Sequence, residues 1–415
     1  MSASPQVIHT KCCVAGGGPA GMMLGFLLAR AGVDVVVLEK HADFLRDFRG
    51  DTIHPSTLEV MHELGVLDAF LKLPHQEVRE LAAQIGDVTV RIADFTHLPT
   101  RCRFLALMPQ WDFLDFLAGE AARYSGFRLQ MRTEITGLIE ESGHVVGVRA
   151  LTQAGPIALR ADLVVAADGR YSLVRTEAKL PVQELGAPMD VLWFRLARSP
   201  SEAGQTMARF DAGQIFIMID RGEYRQCGYV LPKGRFDELR AAGIEAFRER
   251  VARLAPRVKA HVGELRSWDD VKLLTVRVDR VSRWYRPGLL CIGDAAHAMS
   301  PIGGVGINLA IQDAVAAANI HAEPLRRRSV TVEHLLQVQR RREWPTRVTQ
   351  RLQVAIQNRV IAPVLGASKP IPPPLAVRLL DRVAFLRRIP ARLVGIGIRP
   401  EHVAAPSSSA AGNRP

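Results

Sequence analysis

The stretch VAGGGPAGMMLGFLLARAG, residues 14–32, decides the fold of this chain. A continuous apolar run, HTKCCVAG (9–16), leads into it, and a second run, DVVVLEK (34–40), follows it. Continuous apolar runs of this length are typical of strands buried in a parallel sheet, and the apolar segment between them is long enough for a helix. The pattern therefore predicts a strand, a glycine-rich turn, a helix and a second parallel strand.

The glycine spacing in this turn is typical of a dinucleotide-binding site. Gly16 permits the tight turn, Gly18 lets a pyrophosphate approach the backbone, and Gly21 lets the helix close onto the sheet. N–H groups at the start of the helix offer hydrogen bonds to phosphate. Glu39 ends the next strand, where its carboxylate can bind both ribose hydroxyls and disfavours a 2′-phosphate. These residues predict a site for FAD or NAD, against the alternative of a glycine-rich bend before a buried helix.

Length and composition limit the function classes. The chain has 415 residues, 48% of them hydrophobic and 23% charged, so it can bury a large core and divide into two domains. Its five cysteines include no C-x-x-C pair, which predicts neither a disulfide framework nor a metal site. The N-terminus lacks the basic-then-apolar order of a secretory signal, and the apolar run that follows is too broken to span a bilayer. We expect an unprocessed cytoplasmic protein.

The positive charge of the chain is concentrated near its C-terminus. The net charge is +12, but residues 326–415 alone carry +13, which leaves −1 for the rest. No aromatic-rich or recognisable nucleic-acid module accompanies this charge, so we expect no nucleic-acid partner. Five arginines share a helical pattern with apolar residues after the proline break at 368–375: Arg378, Arg382, Arg387, Arg388 and Arg392.

This basic segment has two interpretations. It can make a weak peripheral contact with an anionic membrane: a net four charges at ~1 kcal/mol each give ~4 kcal/mol, or about millimolar affinity. Alternatively, it packs its apolar face on the body of the protein and leaves its arginines in water. The sequence pattern leaves both interpretations open.

Two further apolar runs end at glycine and aspartate. They are ADLVVAADG (161–169) and GLLCIGDAA (288–296), and both are typical of strands whose carboxyl ends face a ligand crevice. Between them, VLWFRLA (191–197), QIFIMID (214–220) and QCGYVLP (226–232) alternate apolar with polar residues. This alternation predicts an antiparallel sheet with one covered face, inserted into the first fold.

Three motifs together carry a family resemblance. They are the glycine-rich turn, DGRYSLVR (168–175), and GDAAH (293–297), which continues through Pro301 into GGVGINLAIQDA. In this order and at these separations they resemble the class A flavoprotein monooxygenases, the para-hydroxybenzoate hydroxylase family, over nearly the whole chain. The resemblance implies bound FAD, transient NAD(P)H and O2.

The resemblance also implies the architecture. We expect an α/β fold with a Rossmann-like, three-layer FAD-binding domain, an inserted and mostly antiparallel β-sheet domain for substrate, and C-terminal helices. The predicted limits are 1–75, 101–183 and 281–355 for the FAD-binding domain, 76–100 and 184–280 for the substrate domain, and 356–415 for a helical segment with a disordered tail.

Particular site residues follow from the resemblance. Asp294 is expected to bind the ribityl chain, Ile307 and Asn308 to contact the flavin ring, and Pro301 to offer its carbonyl over the ring as the catalytic position. The expected cofactor-binding residues are Gly16, Gly18, Pro19, Ala20, Gly21, Glu39, Lys40, Arg46, Arg49, Gln110, Asp168, Asp294, Gly304, Gly306, Ile307 and Asn308. For Ser172 and Arg175, capping of the helix that follows is as good an interpretation as a functional role at the site.

The inserted sheet is expected to line the substrate pocket. Its candidate residues are Trp193, Arg195, Arg209, Phe216, Met218 and Tyr229. Alternation along a strand places neighbours on opposite faces, and the sequence does not say which face is which. An arginine that points into the pocket would indicate an anionic substrate.

The implied activity is hydroxylation of an aromatic or phenolic small molecule by NAD(P)H and O2 through a flavin C4a-hydroperoxide. The cofactor supplies this chemistry, which fits the lack of a nucleophile–base pair in the sequence. Two alternatives remain: another FAD-dependent oxidoreductase on the same scaffold, of the geranylgeranyl-reductase or dehydrogenase kind, and a non-catalytic flavin-binding protein. A halogenase would be expected to show W-x-W-x-I-P, which the sequence lacks.

Overall fold

The computed structural model describes residues 6–45, 52–198, 206–369 and 371–404. Its strands are β1 (Gln6–Ala15), β2 (Val35–Leu38), β3 (Thr52–Ile53), β4 (Gln76–Val78), β5 (Glu80–Ile85), β6 (Val88–Asp94), β7 (Leu105–Leu107), β8 (Phe127–Gln130), β9 (Glu134–Glu141), β10 (His144–Thr152), β11 (Gly155–Ala166), β12 (Val182–Glu184), β13 (Met189–Ala197), β14 (Met207–Asp211), β15 (Gln214–Asp220), β16 (Tyr224–Pro232), β17 (Lys272–Leu274), β18 (Asp279–Val281), β19 (Tyr285–Arg286) and β20 (Leu289–Cys291).

The helices of the described residues surround two large sheets. They are α1 (Pro19–Arg30), α2 (Pro55–Glu63), α3 (Leu67–Phe70), α4 (Gln110–Ala121), α5 (Leu173–Glu177), α6 (Phe236–Ala241), α7 (Ile244–Leu254), α8 (Gly306–Arg326), α9 (Val332–Ile356), α10 (Ala362–Gly366), α11 (Leu375–Arg382) and α12 (Arg388–Gly395). Within the ranges given above, no helix combines the length and the apolarity needed to cross a membrane.

The first sheet confirms the predicted α/β fold. Its order is β19-β20-β11-β1-β2-β8; β20, β11, β1, β2 and β8 run parallel, and the antiparallel pair β9 and β10 joins it through β11. All four residues of β2 and the last four of β1 are buried, as expected for parallel strands covered on both faces. Helix α1 packs against α4 and α8. The strands that end in the three motifs, β1, β11 and β20, are therefore neighbours.

The second sheet has the order β17-β13-β16-β15-β14-β5-β6 and is antiparallel except for the pair β14 and β5. Both of its faces are packed, rather than the single face that we expected. Helix α7 supplies Phe247 and Val251 to one face, and Ile361 and Val364, which follow α9, pack on the other. The residue limits of the two domains stay a prediction.

A small third sheet has the order β3-β7-β4 and lies at one side of the candidate site. Strand β3 leads through His54 to α2, which begins at Pro55 and contacts α8. Residues 236–254 form two helices, α6 and α7, because Gly243, at φ +88°, interrupts the helical conformation. Helix α8 begins at Gly306.

Candidate active site

The three glycines of the first turn have separate structural reasons. Gly16 has φ +105°, and a Cβ added there would lie 2.5 Å from the carbonyl oxygen of Ala167. A Cβ on Gly21 would lie 1.9 Å from the carbonyl oxygen of Gly16, so only glycine lets α1 approach β1 this closely. A Cβ on Gly18 would have no atom within 4 Å. The start of α1 is thus an open cradle, which fits a pyrophosphate.

Glu39 lies beside this cradle in a fixed orientation. Its Oε2 accepts a hydrogen bond from the N–H of Gly17 at 3.0 Å, and its Oε1 accepts one from the N–H of His41 at 3.0 Å. The residue is buried, whereas Lys40 next to it is exposed. Because each carboxylate oxygen can accept two hydrogen bonds, this placement is compatible with the predicted ribose contact.

The second motif folds into a tight turn after β11. The Asp168 carboxylate accepts hydrogen bonds from the Ser172 hydroxyl at 2.5 Å and from the Val174 N–H at 3.1 Å. Ser172 caps α5 by accepting a hydrogen bond from the Arg175 N–H at 2.9 Å, so the capping interpretation of Ser172 is correct. Burial raises the pKa of Asp168, against the lowering effect of these hydrogen bonds. Its contact with the cofactor stays a prediction.

Arg170 and Asp294 join the second motif to the third. Arg170 Nη2 donates to Asp294 Oδ2 at 3.3 Å, and the two side chains are 25% and 30% exposed. Asp294 is the one residue of 291–300 that is not buried. Its carboxylate therefore reaches the crevice at the ends of β11 and β20, where the ribityl contact was predicted. The sequence analysis did not select Arg170, although it lies inside a quoted motif.

A buried ionic network holds the Asp294 turn in place. Asp313 Oδ2 accepts hydrogen bonds from the Gly293 N–H at 3.0 Å and from His297 Nε2 at 2.6 Å. Arg342 Nε donates to Asp313 Oδ1 at 3.0 Å, and Arg342 Nη1 lies 3.4 Å from Glu401 Oε1. Burial raises the pKa of Asp313, but the neighbouring His297 and Arg342 outweigh burial and hold it below its ordinary value. The sequence carried no signal for this network, because α8, α9 and the C-terminal segment supply it.

The loop after Pro301 requires its glycines. Gly303 and Gly304 have φ +77° and +63°, in the left-handed region that favours glycine. A Cβ on Gly304 would lie 2.9 Å from Thr52 Oγ1. Pro301 is half-buried at the start of this loop, and Gly306 begins α8. The loop thus aims the start of α8, whose first N–H groups have no intrahelical partner, at the site.

Asn308 uses its side chain for structure. Its Oδ1 accepts hydrogen bonds from Ser56 Oγ at 2.8 Å and Thr57 Oγ1 at 2.9 Å, which ties the first turn of α8 to α2. Ile307 beside it is buried. The contact of both residues with the flavin ring stays a prediction.

His54 connects the loop to the C-terminal helix. Its ring is fully buried, with Nε2 at 2.9 Å from the Gly304 carbonyl oxygen and Nδ1 at 2.7 Å from the Val394 carbonyl oxygen. Burial lowers the pKa of His54, against the raising effect of the two carbonyl contacts. The ring contacts show that it holds two segments together.

The remaining cofactor candidates are distributed unevenly. Gln110 is the first residue of α4 and is half-buried. Next to it, the Trp111 ring lies 5.7 Å from the guanidinium of Arg195, which also lies 4.8 Å from the Tyr224 ring. The second sheet therefore reaches the start of α4. Arg46 and Arg49 lie outside the described residues.

Trp193 lies on the face of the second sheet that is nearer the loop after Pro301. Trp193 and Ile302 pack against the same buried cluster, which includes Val191 and Ile215. Its indole lies over Gly228, where a Cβ would come within 3.0 Å of the ring. This face is compatible with a pocket beside Pro301, so the substrate role of Trp193, and that of Arg195 on the same face, stays a prediction.

Three other substrate candidates point away from this face. Phe216, Met218 and Tyr229 pack with Phe247 of α7 in the core on the opposite side. Strand alternation is the physical reason: Trp193 pairs with Gly228, and the residue after Gly228 must point the other way. This packing argues against a contact of these side chains with a ligand beside Pro301, and their role in a substrate pocket stays a prediction. Arg209 pairs in register with Phe216 and shares that far side.

Comparisons with known proteins agree with this geometry. A family model described as FAD binding domain matches residues 9–352. The 6-methylpretetramide 4-monooxygenase of Streptomyces rimosus is 35% identical over 389 residues, which are 93% of this chain and 92% of that protein. Dialkyldecalin synthase of Streptomyces rugosporus is 28% identical over 322 residues, which are 73% of this chain and 63% of that protein.

A solved structure shares the fold. The p-nitrophenol 4-monooxygenase of Pseudomonas putida has a TM-score of 0.77 at 19% identity, covering 95% of this chain and 100% of that one. At this identity the likeness shows the fold alone. The family match and the relative at 35% identity show the family as well as the fold, because they cover most of the chain. The chain belongs to the FAD binding domain family, and it is an FAD-dependent oxidoreductase of the aromatic monooxygenase class.

Proposed function

We propose that this enzyme hydroxylates an aromatic or phenolic small molecule, with NAD(P)H as a transient reductant and O2 as co-substrate. The observation that carries this proposal is the meeting of three motifs at one sheet edge. Strands β1, β11 and β20 are adjacent, and they end in the glycine cradle, the Asp168 turn and the Asp294 turn. Ligands of open α/β sheets bind at the carboxyl ends of the strands.

The described residues fit FAD along its length. The open cradle at Gly18 would hold the pyrophosphate, Glu39 the ribose, and Asp294 the ribityl chain. The start of α8 would lie at the flavin ring, where the positive end of the helix dipole favours negative charge. Bound FAD supplies the oxygen-transfer chemistry, with electrons from NAD(P)H.

The protein supplies positioning and a dry wall. The Asp313 network fixes the Asp294 turn, and His54 fixes the Gly304 carbonyl. Trp193 and Ile302 belong to one apolar cluster beside Pro301, which excludes water where the substrate ring would lie. Pro301 is our proposed catalytic position, through its carbonyl.

The proposal is tested by reconstituting the purified protein with FAD and screening phenolic compounds, 6-methylpretetramide first because of the relative named above. We expect a true substrate to accelerate NAD(P)H oxidation and to gain the mass of one oxygen atom. A flavin-binding protein without redox activity would bind FAD but consume no NAD(P)H. A reductase or dehydrogenase would consume NAD(P)H and leave the organic product without added oxygen.

We also propose that the basic C-terminal segment makes a weak peripheral contact with an anionic membrane surface. The support is its excess of arginine over acid between Leu375 and Gly395. At ~1 kcal/mol for each net charge near such a surface, the attraction is marginal on electrostatics alone. Co-sedimentation with anionic vesicles at low and high salt tests this contact, and lack of sedimentation at low salt would exclude it.

A further inference from the structure

The outer surface of α11, α12 and the turn between them is unusually apolar. We call this surface the C-terminal face. Its large exposed apolar side chains, with their exposed fractions, are Leu375 (81%), Phe385 (65%), Ile389 (55%), Leu379 (52%), Val383 (41%) and Leu393 (38%). Single exposed apolar residues are ordinary on protein surfaces, but six within one short segment mark an interaction site.

Two charged side chains of this segment point inward, and its other charged side chains are exposed. Its single acid, Asp381, points inward, where Oδ1 accepts a hydrogen bond from the Arg91 N–H at 3.0 Å. Arg387 is also buried and donates to the carbonyl oxygens of Leu380 at 3.0 Å and Asp381 at 2.6 Å. Four other arginines are exposed: Arg378, Arg382, Arg388 and Arg392. The C-terminal face therefore combines apolar side chains with positive charge only.

The inner side of α12 already packs against the body of the protein. The carbonyl of Val394 contacts His54, and the carbonyl oxygen of Gly395 lies 3.1 Å from Ser56 Oγ. Gly395 packs so closely that a Cβ there would lie 2.7 Å from Leu98. Because this side is fixed, the helix cannot roll to hide Ile389 and Leu393 against the body.

We propose that the C-terminal face docks on an anionic lipid surface, with its apolar side chains inserted between the lipid chains and its four exposed arginines at the phosphate headgroups. This inference rests on the weak contact proposed above and replaces attraction by charge alone with insertion. Short helices that carry apolar and basic residues together bind in the membrane interface plane in this way.

A second copy of the chain fits this face less well. A two-fold symmetric dimer places the same patch against itself, which would bring together two faces that each carry four exposed arginines and no exposed acid from this segment. Like charges in contact oppose such a dimer. Anionic lipid instead supplies the opposite charge and the apolar medium together.

The experiment compares binding of the FAD-loaded protein to phosphatidylcholine vesicles with and without phosphatidylglycerol. The apolar variant is Leu379→Ser/Phe385→Ser/Ile389→Ser, and the charge variant is Arg378→Gln/Arg382→Gln/Arg388→Gln/Arg392→Gln. The matched control is Leu151→Ser, at a 50% exposed leucine on β10. We expect wild type and control to sediment with anionic vesicles, and each multiple variant to bind at least about tenfold more weakly.

Melting temperature and flavin absorbance show that each variant is folded. Wild-type binding that the apolar variant retains in full would overturn insertion while leaving the charge contact intact. Absence of wild-type binding would overturn both. Concentration-dependent dimerisation that the apolar variant abolishes would assign the face to a second copy and overturn the inference.

Discussion

Single glycines have different surroundings in the first motif, where we expect the pyrophosphate to bind. Gly18 and Gly21 look alike in the sequence, but one faces open space and the other touches backbone. Gly21 therefore serves the fold, and we expect Gly18 to serve the ligand. Substitutions at these two glycines should therefore separate the effect on FAD binding from the effect on the stability of the protein.

Gly18→Glu should abolish FAD retention and leave the fold intact. The new side chain enters open space, so we expect the stability of the FAD-free protein to change by less than about 1 kcal/mol. Gly21→Ala should instead cost more than about 2 kcal/mol, because its Cβ would overlap the Gly16 carbonyl. Flavin content after gel filtration and urea unfolding measure the two effects. A Gly18→Glu protein that stays yellow would contradict the placement of the pyrophosphate.

His321 predicts an acid-sensitive stability. Its ring is buried, Nδ1 lies 2.9 Å from the Ala317 carbonyl oxygen, and burial lowers the pKa from 6.5 to about 4. Between these two pH values the unfolded chain takes up a proton that the folded chain does not. Stability should therefore fall by about 3 kcal/mol as the pH drops from 6.5 to 4.

His321→Leu should remove this part of the pH dependence. Urea unfolding between pH 4.5 and 7.5 measures it, with His62→Leu, at an exposed histidine, as the matched control. An equal slope in wild type and His321→Leu would show that the ring is accessible to protons in the folded state.

At the scale of elements, α8, α9 and the C-terminal segment share one buried network. Asp313 of α8 holds both the Gly293 N–H and Arg342 of α9, and Arg342 reaches Glu401. The network therefore transmits the packing of two helices to the turn that carries Asp294. A buried charge is tolerated here because each partner is matched.

Arg342→Ala should destabilise the protein by about 3–5 kcal/mol, because it leaves Asp313 and Glu401 buried without their shared cation. FAD should also dissociate faster, since the Asp294 turn loses its support. Arg340→Ala, two residues away on the same helix, removes only an exposed pair with Glu333 and should change stability by less than about 1 kcal/mol. Equal effects of the two substitutions in urea unfolding and flavin release would refute the network's role.

At the scale of the whole molecule, we expect the site to lie between the parallel sheet and the face of the antiparallel sheet that carries Trp193. Trp193 and Phe216 lie on opposite faces of the second sheet. Only the first shares a cluster with Ile302, beside Pro301. The two residues should therefore fail in different ways when they are truncated.

Trp193→Ala should raise KM for the aromatic substrate and leave the flavin content unchanged. This variant should also release more hydrogen peroxide for each NAD(P)H that it oxidises. Phe216→Ala should cost about 3–5 kcal/mol of stability, because the side chain is fully buried, and leave KM of the folded enzyme unchanged. Steady-state kinetics with product quantification and urea unfolding distinguish them. A raised KM in Phe216→Ala alone would place the pocket on the far face.

The periodicity of the apolar runs was enough to predict the α/β fold and the inserted antiparallel sheet, because both depend on local sequence patterns. The residues of the first motif predicted FAD or NAD, and the family resemblance of the three motifs together implied FAD. The tight turn at Gly16 and the close packing at Gly21 could also be predicted from the sequence, since a close backbone approach admits only glycine. Tertiary structure alone decided which face of the second sheet adjoins Pro301, because alternation is symmetric between faces. It also decided the partners of Asp313 and His54, which lie on segments far apart in the chain and meet only after the helices pack.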